Sequence, residues 1–392
     1  MPSIYTILTE TPTIKKKTFI PALTGLRTIC AYGIFFYHIN PFSKENHSIL
    51  FIIFNQFYSF IPFFFVISAF VIFHTYFKNS AYTKREFYHY FISRFARIFP
   101  ILIILNLLVF FLSYRDHLYT IGQTIKLFFL NITLAKGFSS EYFLTGIGPS
   151  WTNSVEEVFY LAAPLLFIFV TKRFFVLKST LLFYVTGAII TCCFIAVPFQ
   201  GFFGSFKFTA YFTFFGRAFE FFCGIYLALL FRGIYNNKYL QKIGKASLFI
   251  GLTLLVICYT LLYFIVVNYN VNHANETWPG IIVNNILFPI AIFFILYSLL
   301  YYKTFLQKFL SLPVMVNLGN ATYSFYLLHT TFVLSYIYKY LGKNIFVAFI
   351  AMIIISLVFH RLVEQPIAKL IKRKIIPKKY NKQPQSIQQS QS

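Results

Sequence analysis

Apolar runs of about twenty residues recur along this chain between positions 19 and 362, and no stretch between them is long enough for a separate soluble domain. A helix rises about 1.5 Å per residue and the hydrocarbon layer of a bilayer is about 30 Å thick, so each run has the length of a membrane crossing. Of the 392 residues, 58% are hydrophobic and only 11% charged, against about a quarter charged in an ordinary soluble domain. The fold class this imposes is all-α: a polytopic transmembrane helical bundle of about ten spans, with the lipid bilayer as its solvent.

Charge then orients the chain. The 34 Lys+Arg against 10 Asp+Glu give a net charge of +24, which in a soluble protein would suggest nucleic acid. Here the basic residues gather in alternate loops, as the positive-inside rule demands, and no nucleic acid is expected as a partner. Spans are expected at about 19–42, 49–77, 98–114, 157–170, 179–197, 208–231, 248–267, 281–301, 322–340 and 345–362. The loops after 77, 170, 231 and 301 are basic, while 268–280 carries one Glu and no Lys or Arg, so both termini are expected in the cytoplasm. The mixed stretch 118–151 reads as a long outer-side loop, with an excursion into the membrane left open. Residues 1–18 are expected to form a polar cytoplasmic lead without a cleavable signal, 19–366 the membrane domain, and 367–392 a basic and then disordered tail.

The intramembrane polar residues are the informative set, because an isolated charge at the bilayer centre costs on the order of 3 kcal/mol. Arg27 and His38 lie eleven residues apart in one run. On a helix they share a stripe, about 16 Å apart along the axis. Arg94 and Arg97 stand on adjacent turns at the cytoplasmic entry to the third span, where the positive-inside rule alone would also place them. Three arginines at one mouth suit an anionic guest, and guanidinium forks match phosphate. His38 could equally be a buried imidazole bonded to a backbone carbonyl.

Glu156 and Glu157 are expected to open a helix from the outer side, with Ser154 as its cap and the acids favoured by the helix dipole. A carboxylate there, at the depth of His38, would orient the imidazole as the acid does in a Ser-His-Asp system. Arg217 and Glu220, at i and i+3 in apolar sequence, read as an internal ion pair. His329 is mid-span, in core or cavity. Five cysteines lie in apolar runs without CxxC or Cys/His ligand spacing, so neither a disulfide nor a metal site is expected. The chain contains no Walker loop, GxGxxG or GxSxG.

At these residues the chain resembles the integral-membrane acyltransferase 3 family, the O-acetyltransferases that modify bacterial surface glycans. ALTGLRTICAYGIFFYH matches the family's LDGLRAIA block and its Arg-x10-His motif through Arg27 and His38, with Thr24 in place of the family's Asp. FFFVISAF is similar to FFVISGF, with Ala69 for Gly, and SRFARIFP matches the RxxR-I-x-P block through Arg94, Arg97 and Pro100. PSWTNSVEEVFYLAAP resembles WSLSVEEQFYL-x-x-P, retaining Trp151, Ser154, Glu156, Glu157, Phe159, Tyr160 and Pro164 but departing at Thr152 and Asn153. GRAFEFFCGIYLA resembles the Arg-x-x-Glu-x-x-x-Gly block, LGNATYSFYLLH the LGxxSYxxYLxH block with Tyr326 and His329, and Glu364-Gln365-Pro366 the closing Glu-x-Pro.

The resemblance implies a multi-pass enzyme of the bacterial inner membrane that takes an acyl group, by family frequency acetyl, from cytoplasmic acyl-CoA. The group passes to a hydroxyl of a surface glycan or lipid-linked sugar. Arg27, Arg94 and Arg97 would bind the acyl-CoA, and His38 would be catalytic with Glu156 in support, as general base or as covalent carrier. Trp151, Ser154, Glu157, Tyr160, Arg217, Glu220, Tyr326 and His329 would be supporting motif residues. Acetyl-CoA would be a co-substrate, with no permanently bound cofactor and no metal, and glycan-assembly proteins are candidate partners. A transporter or flippase without acyl chemistry is the alternative from another class; it would show two halves with matching interrupted spans, and no such symmetry is found.

Overall fold

The computed structural model describes residues 19–43, 49–78, 82–170 and 175–375. The polar lead 1–18 and the end of the tail, 376–392, lie outside the described residues. Among the described residues seven helices are long and apolar enough to cross a membrane: Phe57–Tyr76, Lys84–Arg115, Phe175–Ala196, Phe206–Phe231, Ala246–Tyr269, Trp278–Tyr301 and Ile345–Ile375. Each coincides with an expected span. Two more, Pro21–His38 and Trp151–Phe169, have 18 and 19 residues but carry the polar residues of the motifs. The remaining expected span, 322–340, is broken into Thr322–Leu328 and Phe332–Leu341. Thr331 makes the break: its hydroxyl donates to the Leu328 carbonyl at 2.7 Å and caps the Val333 N–H, both groups that a continuous helix would use internally.

At the centre, the helix through Ile61–Tyr76 crosses Phe214–Phe231 at Gly224, where a Cβ would come within 2.2 Å of the Val66 carbonyl oxygen. The Arg27 helix is seated the same way. A Cβ at Gly25 would strike the Leu310 carbonyl at 1.9 Å, and one at Gly319 the Thr24 carbonyl at 2.1 Å. Small residues at helix crossings let backbones approach where lipid gives no hydrophobic drive to associate. Thr28 adds a hydroxyl bond of 2.9 Å to the Met315 carbonyl. The helices Phe175–Ala196 and Ala246–Tyr269 lie at the periphery and expose Leu177, Leu181, Phe249 and Val256, as lipid-facing helices do.

The helix Lys84–Arg115 has 32 residues and is about 48 Å long, well over the thickness of hydrocarbon. Its first turns, opened by a Thr83–Glu86 capping box, carry Arg94 and Arg97 beyond the apolar part. The expected outer loop 118–151 contains a twelve-residue helix, Ile121–Ile132, followed by short 3-10 turns. The boundary drawn after residue 366 falls inside the helix Gln365–Ile375, which continues the last span through a π turn at His360–Glu364 and packs against Lys84–Arg115.

Two local expectations are corrected. Trp151–Phe169 starts earlier than expected, so Glu156 and Glu157 lie beyond its first turn. Ser154 is not its cap: the side chain is buried inside the helix and donates at 2.7 Å to the Leu134 carbonyl, pinning the preceding turn.

Candidate active site

Four cations converge at one end of the bundle. Arg27, half-buried on its helix, faces Arg97, Arg94, Tyr160 and Glu156. The Arg94 Nη2 donates to the Tyr76 hydroxyl at 3.3 Å, and its guanidinium lies over the rings of Tyr76 and Tyr160, 5.4 and 5.8 Å from their centroids. Lys372 reaches the same place from the C-terminal helix and faces Arg94, Arg97 and Tyr76. Among the described residues no salt bridge engages Arg27, Arg94, Arg97 or Lys372. Like charges this close repel, so the cluster has the electrostatics of a site for a polyanion.

The acids of the Trp151 helix belong to this end. Glu156 accepts a 2.6 Å hydrogen bond from Ser68 Oγ, and Glu157 faces Arg94 and Glu156. Among the described residues no hydrogen bond or ion pair joins Glu156 to His38. The expectation that Glu156 orients the imidazole is therefore corrected. The helix begins one turn earlier than its sequence suggested, so Glu156 lies in its second turn, one turn farther from its start, where it faces Arg27.

From Glu156 a row of polar and aromatic side chains leads to the other end. Thr152 lies one turn before Glu156 on the same helix face and shares a 3.0 Å hydrogen bond with the Tyr326 hydroxyl, which also donates to the Pro149 carbonyl at 3.1 Å. The Tyr326 ring stands 6.2 Å from Phe64 and 5.7 Å from His329. His329 is fully buried, and its ring centroid is 5.1 Å from that of His38, which is exposed at the last turn of its helix. Tyr37 and His273, 5.6 Å apart, complete this end. Beside them Asn40 donates to the Phe51 carbonyl and to the Asn55 side chain, both at 2.9 Å, and His273 points Nδ1 at the Asn55 carbonyl.

The remaining motif residues build walls. Trp151 packs edge-on against Phe212 at 4.9 Å, and Tyr160 is buried beside the arginines. Arg217 and Glu220 form a fully buried ion pair of 2.8 Å, with the guanidinium over Phe65 and Tyr211, behind the tyrosines of the His38 end. Glu364 accepts from Ser324 Oγ at 2.5 Å and bonds His360 Nδ1 at 2.9 Å, which fastens the helix that carries Lys372. Ser68, Thr152, His273 and Lys372 had no signal in the sequence beyond being polar in apolar surroundings or part of a basic tail.

The model of the acyltransferase domain family matches residues 20–361. No curated protein and no solved structure matches the chain.

Proposed function

The chain belongs to the acyltransferase 3 family, and with a membrane acyltransferase as premise we propose that it moves an acetyl group from acetyl-CoA to a hydroxyl of a surface glycan or lipid-linked sugar. One observation carries this reading: a cluster of four cations lies beside one end of the Arg27 helix and a histidine stands at its other end, joined by the row Ser68, Glu156, Thr152 and Tyr326. The cations hold the phosphates of the donor at the cytoplasmic face. Its acyl arm runs along the Arg27 helix for about 16 Å to reach the thioester's place beside His38. There neutral His38 takes the proton of the acceptor hydroxyl as the oxygen attacks the acyl carbon. The C–S bond breaks, the C–O bond forms, and the proton passes on to the thiolate.

The acceptor end favours a sugar. The Asn55 amide, held by Asn40, and the rings of Tyr37 and His273 are groups of the kinds that bond and stack on hydroxylated rings. The cell context that follows is a bacterial cytoplasmic membrane with the acceptor arriving on its outer side, alone or from glycan-assembly proteins.

The test is transfer from radiolabelled acetyl-CoA to a panel of hexose, deoxyhexose and N-acetylhexosamine oligosaccharides by the purified protein in nanodiscs. The wild type labels at least one acceptor, and His38→Ala loses about 100-fold or more. Label that moves equally well in His38→Ala overturns the reading.

A further inference from the structure

Among the described residues His329 is the one wholly buried side chain in ring contact with His38. Its Nδ1 lies 2.8 Å from the Tyr326 carbonyl and 3.3 Å from that of Phe325. A carbonyl only accepts, so Nδ1 carries the hydrogen and Nε2 carries a lone pair. That Nε2 is buried and has no hydrogen-bond partner among the described residues. A buried acceptor left open in this way calls for an explanation.

The geometry supplies one. With centroids 5.1 Å apart, two imidazoles that turn a nitrogen toward each other bring those nitrogens to roughly 2.8 Å, a hydrogen-bond distance. Tyr37 lies against the His38 ring at 4.7 Å, and most of the remaining titratable neighbours are already committed. The Tyr326 hydroxyl donates to Pro149, the Tyr58 hydroxyl to Gln56 Oε1, and His273 directs Nδ1 to Asn55 while its ring packs on Tyr37 and Tyr58. Glu156 is held by Ser68 among the arginines. We propose that His329 is the positioning residue of His38: its Nε2 accepts a hydrogen bond from one ring nitrogen of His38 and so fixes the other, unprotonated, toward the acceptor hydroxyl. It does for His38 what a carboxylate does in a Ser-His-Asp system, with a neutral acceptor. The Tyr326 carbonyl sets the tautomer that makes this possible. The inference rests on the acyl-transfer reading.

Two substitutions separate this role from packing. His329→Phe keeps a flat ring to stack on Phe325, now 6.0 Å away at 10°, but offers no acceptor. His329→Gln offers an amide oxygen. Measured in nanodiscs with labelled acetyl-CoA, His329→Phe is expected to keep the wild-type KM for acetyl-CoA and lose about 100-fold or more in kcat, as a wrongly oriented base does. His329→Gln is expected to recover at least about tenfold of that loss. A His329→Phe enzyme within about threefold of wild-type kcat, or a Gln variant no better than Phe, overturns the inference. If His329→Phe does not fold, the Gln variant decides by the same measure against His38→Ala, and activity no higher than that variant's overturns it. A wild type that transfers no label defeats the acyl-transfer reading itself, whereas an active wild type with an indifferent His329 defeats this inference alone.

Discussion

Ser68 Oγ donates a 2.6 Å hydrogen bond to Glu156 Oε1, and this bond ties the acid of the Trp151 helix to the Phe57–Tyr76 span beside Arg27, Arg94 and Arg97. A carboxylate in that position tempers a cluster of positive charge. Glu156→Gln removes the opposing charge, so CoA is expected to bind at least about threefold more tightly. Turnover is expected to fall by about the same factor, since CoA held more tightly leaves more slowly. Calorimetric titration with CoA and the rate of label transfer check the two halves, and weaker CoA binding would contradict the placement.

Lys372 makes a prediction about the donor alone. Its ammonium joins Arg94 and Arg97 from the C-terminal helix, so Lys372→Ala is expected to raise the KM for acetyl-CoA roughly tenfold with little change in kcat. Added salt should raise the wild-type KM more steeply than that of the variant, because one fewer charge contacts the phosphates. Equal KM values would place Lys372 outside the donor site.

The Arg217–Glu220 pair concerns folding. Both side chains are fully buried, so Glu220→Gln leaves a guanidinium without its counter-charge at a cost of about 3–5 kcal/mol. Loss of monodisperse protein on size exclusion is expected. The double variant Arg217→Met with Glu220→Leu removes both charges and should restore much of the yield. A stable, well-folded Glu220→Gln protein would contradict this.

Lys136 links stability to pH. It lies outside the spans, its ammonium nitrogen is buried, and it donates to the Thr145 and Ile147 carbonyls at 2.6 and 2.8 Å. Burial pushes its pKa down to about 7 from the ordinary lysine value of 10.5. The neutral amine still has two hydrogens for the two carbonyls, so it is the form that folding favours. Between those two values the unfolded chain holds a proton that the folded chain lacks, so stability rises with pH through that window. The thermal midpoint in detergent should be higher near pH 9 than near pH 7. In Lys136→Met that difference should shrink, though the midpoint itself falls.

The sequence made the architecture legible because the bilayer leaves so few options. Nearly every long apolar run is a single helix, 322–340 being broken at Thr331, and the polar residues that interrupt such runs mark the functional face. Arg27 and His38 were readable together since both sit on one helix with a fixed rise. Contacts that depend on where separate helices meet were not readable. Lys372 comes to Arg94 only when the last helix folds back on the long Lys84–Arg115 helix. His329 comes to His38 only because Thr331 ends the short helix Thr322–Leu328 beneath it. Glu156 was misplaced for a smaller reason, a helix start a few residues earlier than its Ser and Glu pattern suggested, which sets it about one turn farther along the helix axis.

The central claim is that a donor held by the arginines on one side of the membrane serves an alcohol at His38 on the other, and sidedness tests it most directly. Protein is sealed in vesicles of one orientation, with labelled acetyl-CoA on the face bearing Arg94 and Arg97 and oligosaccharide acceptors on the face bearing His38. The account predicts label in the sugar, none when the two solutions are exchanged, and none in either arrangement with His38→Ala. Transfer that requires donor and acceptor on the same face, or that proceeds in His38→Ala, would contradict it.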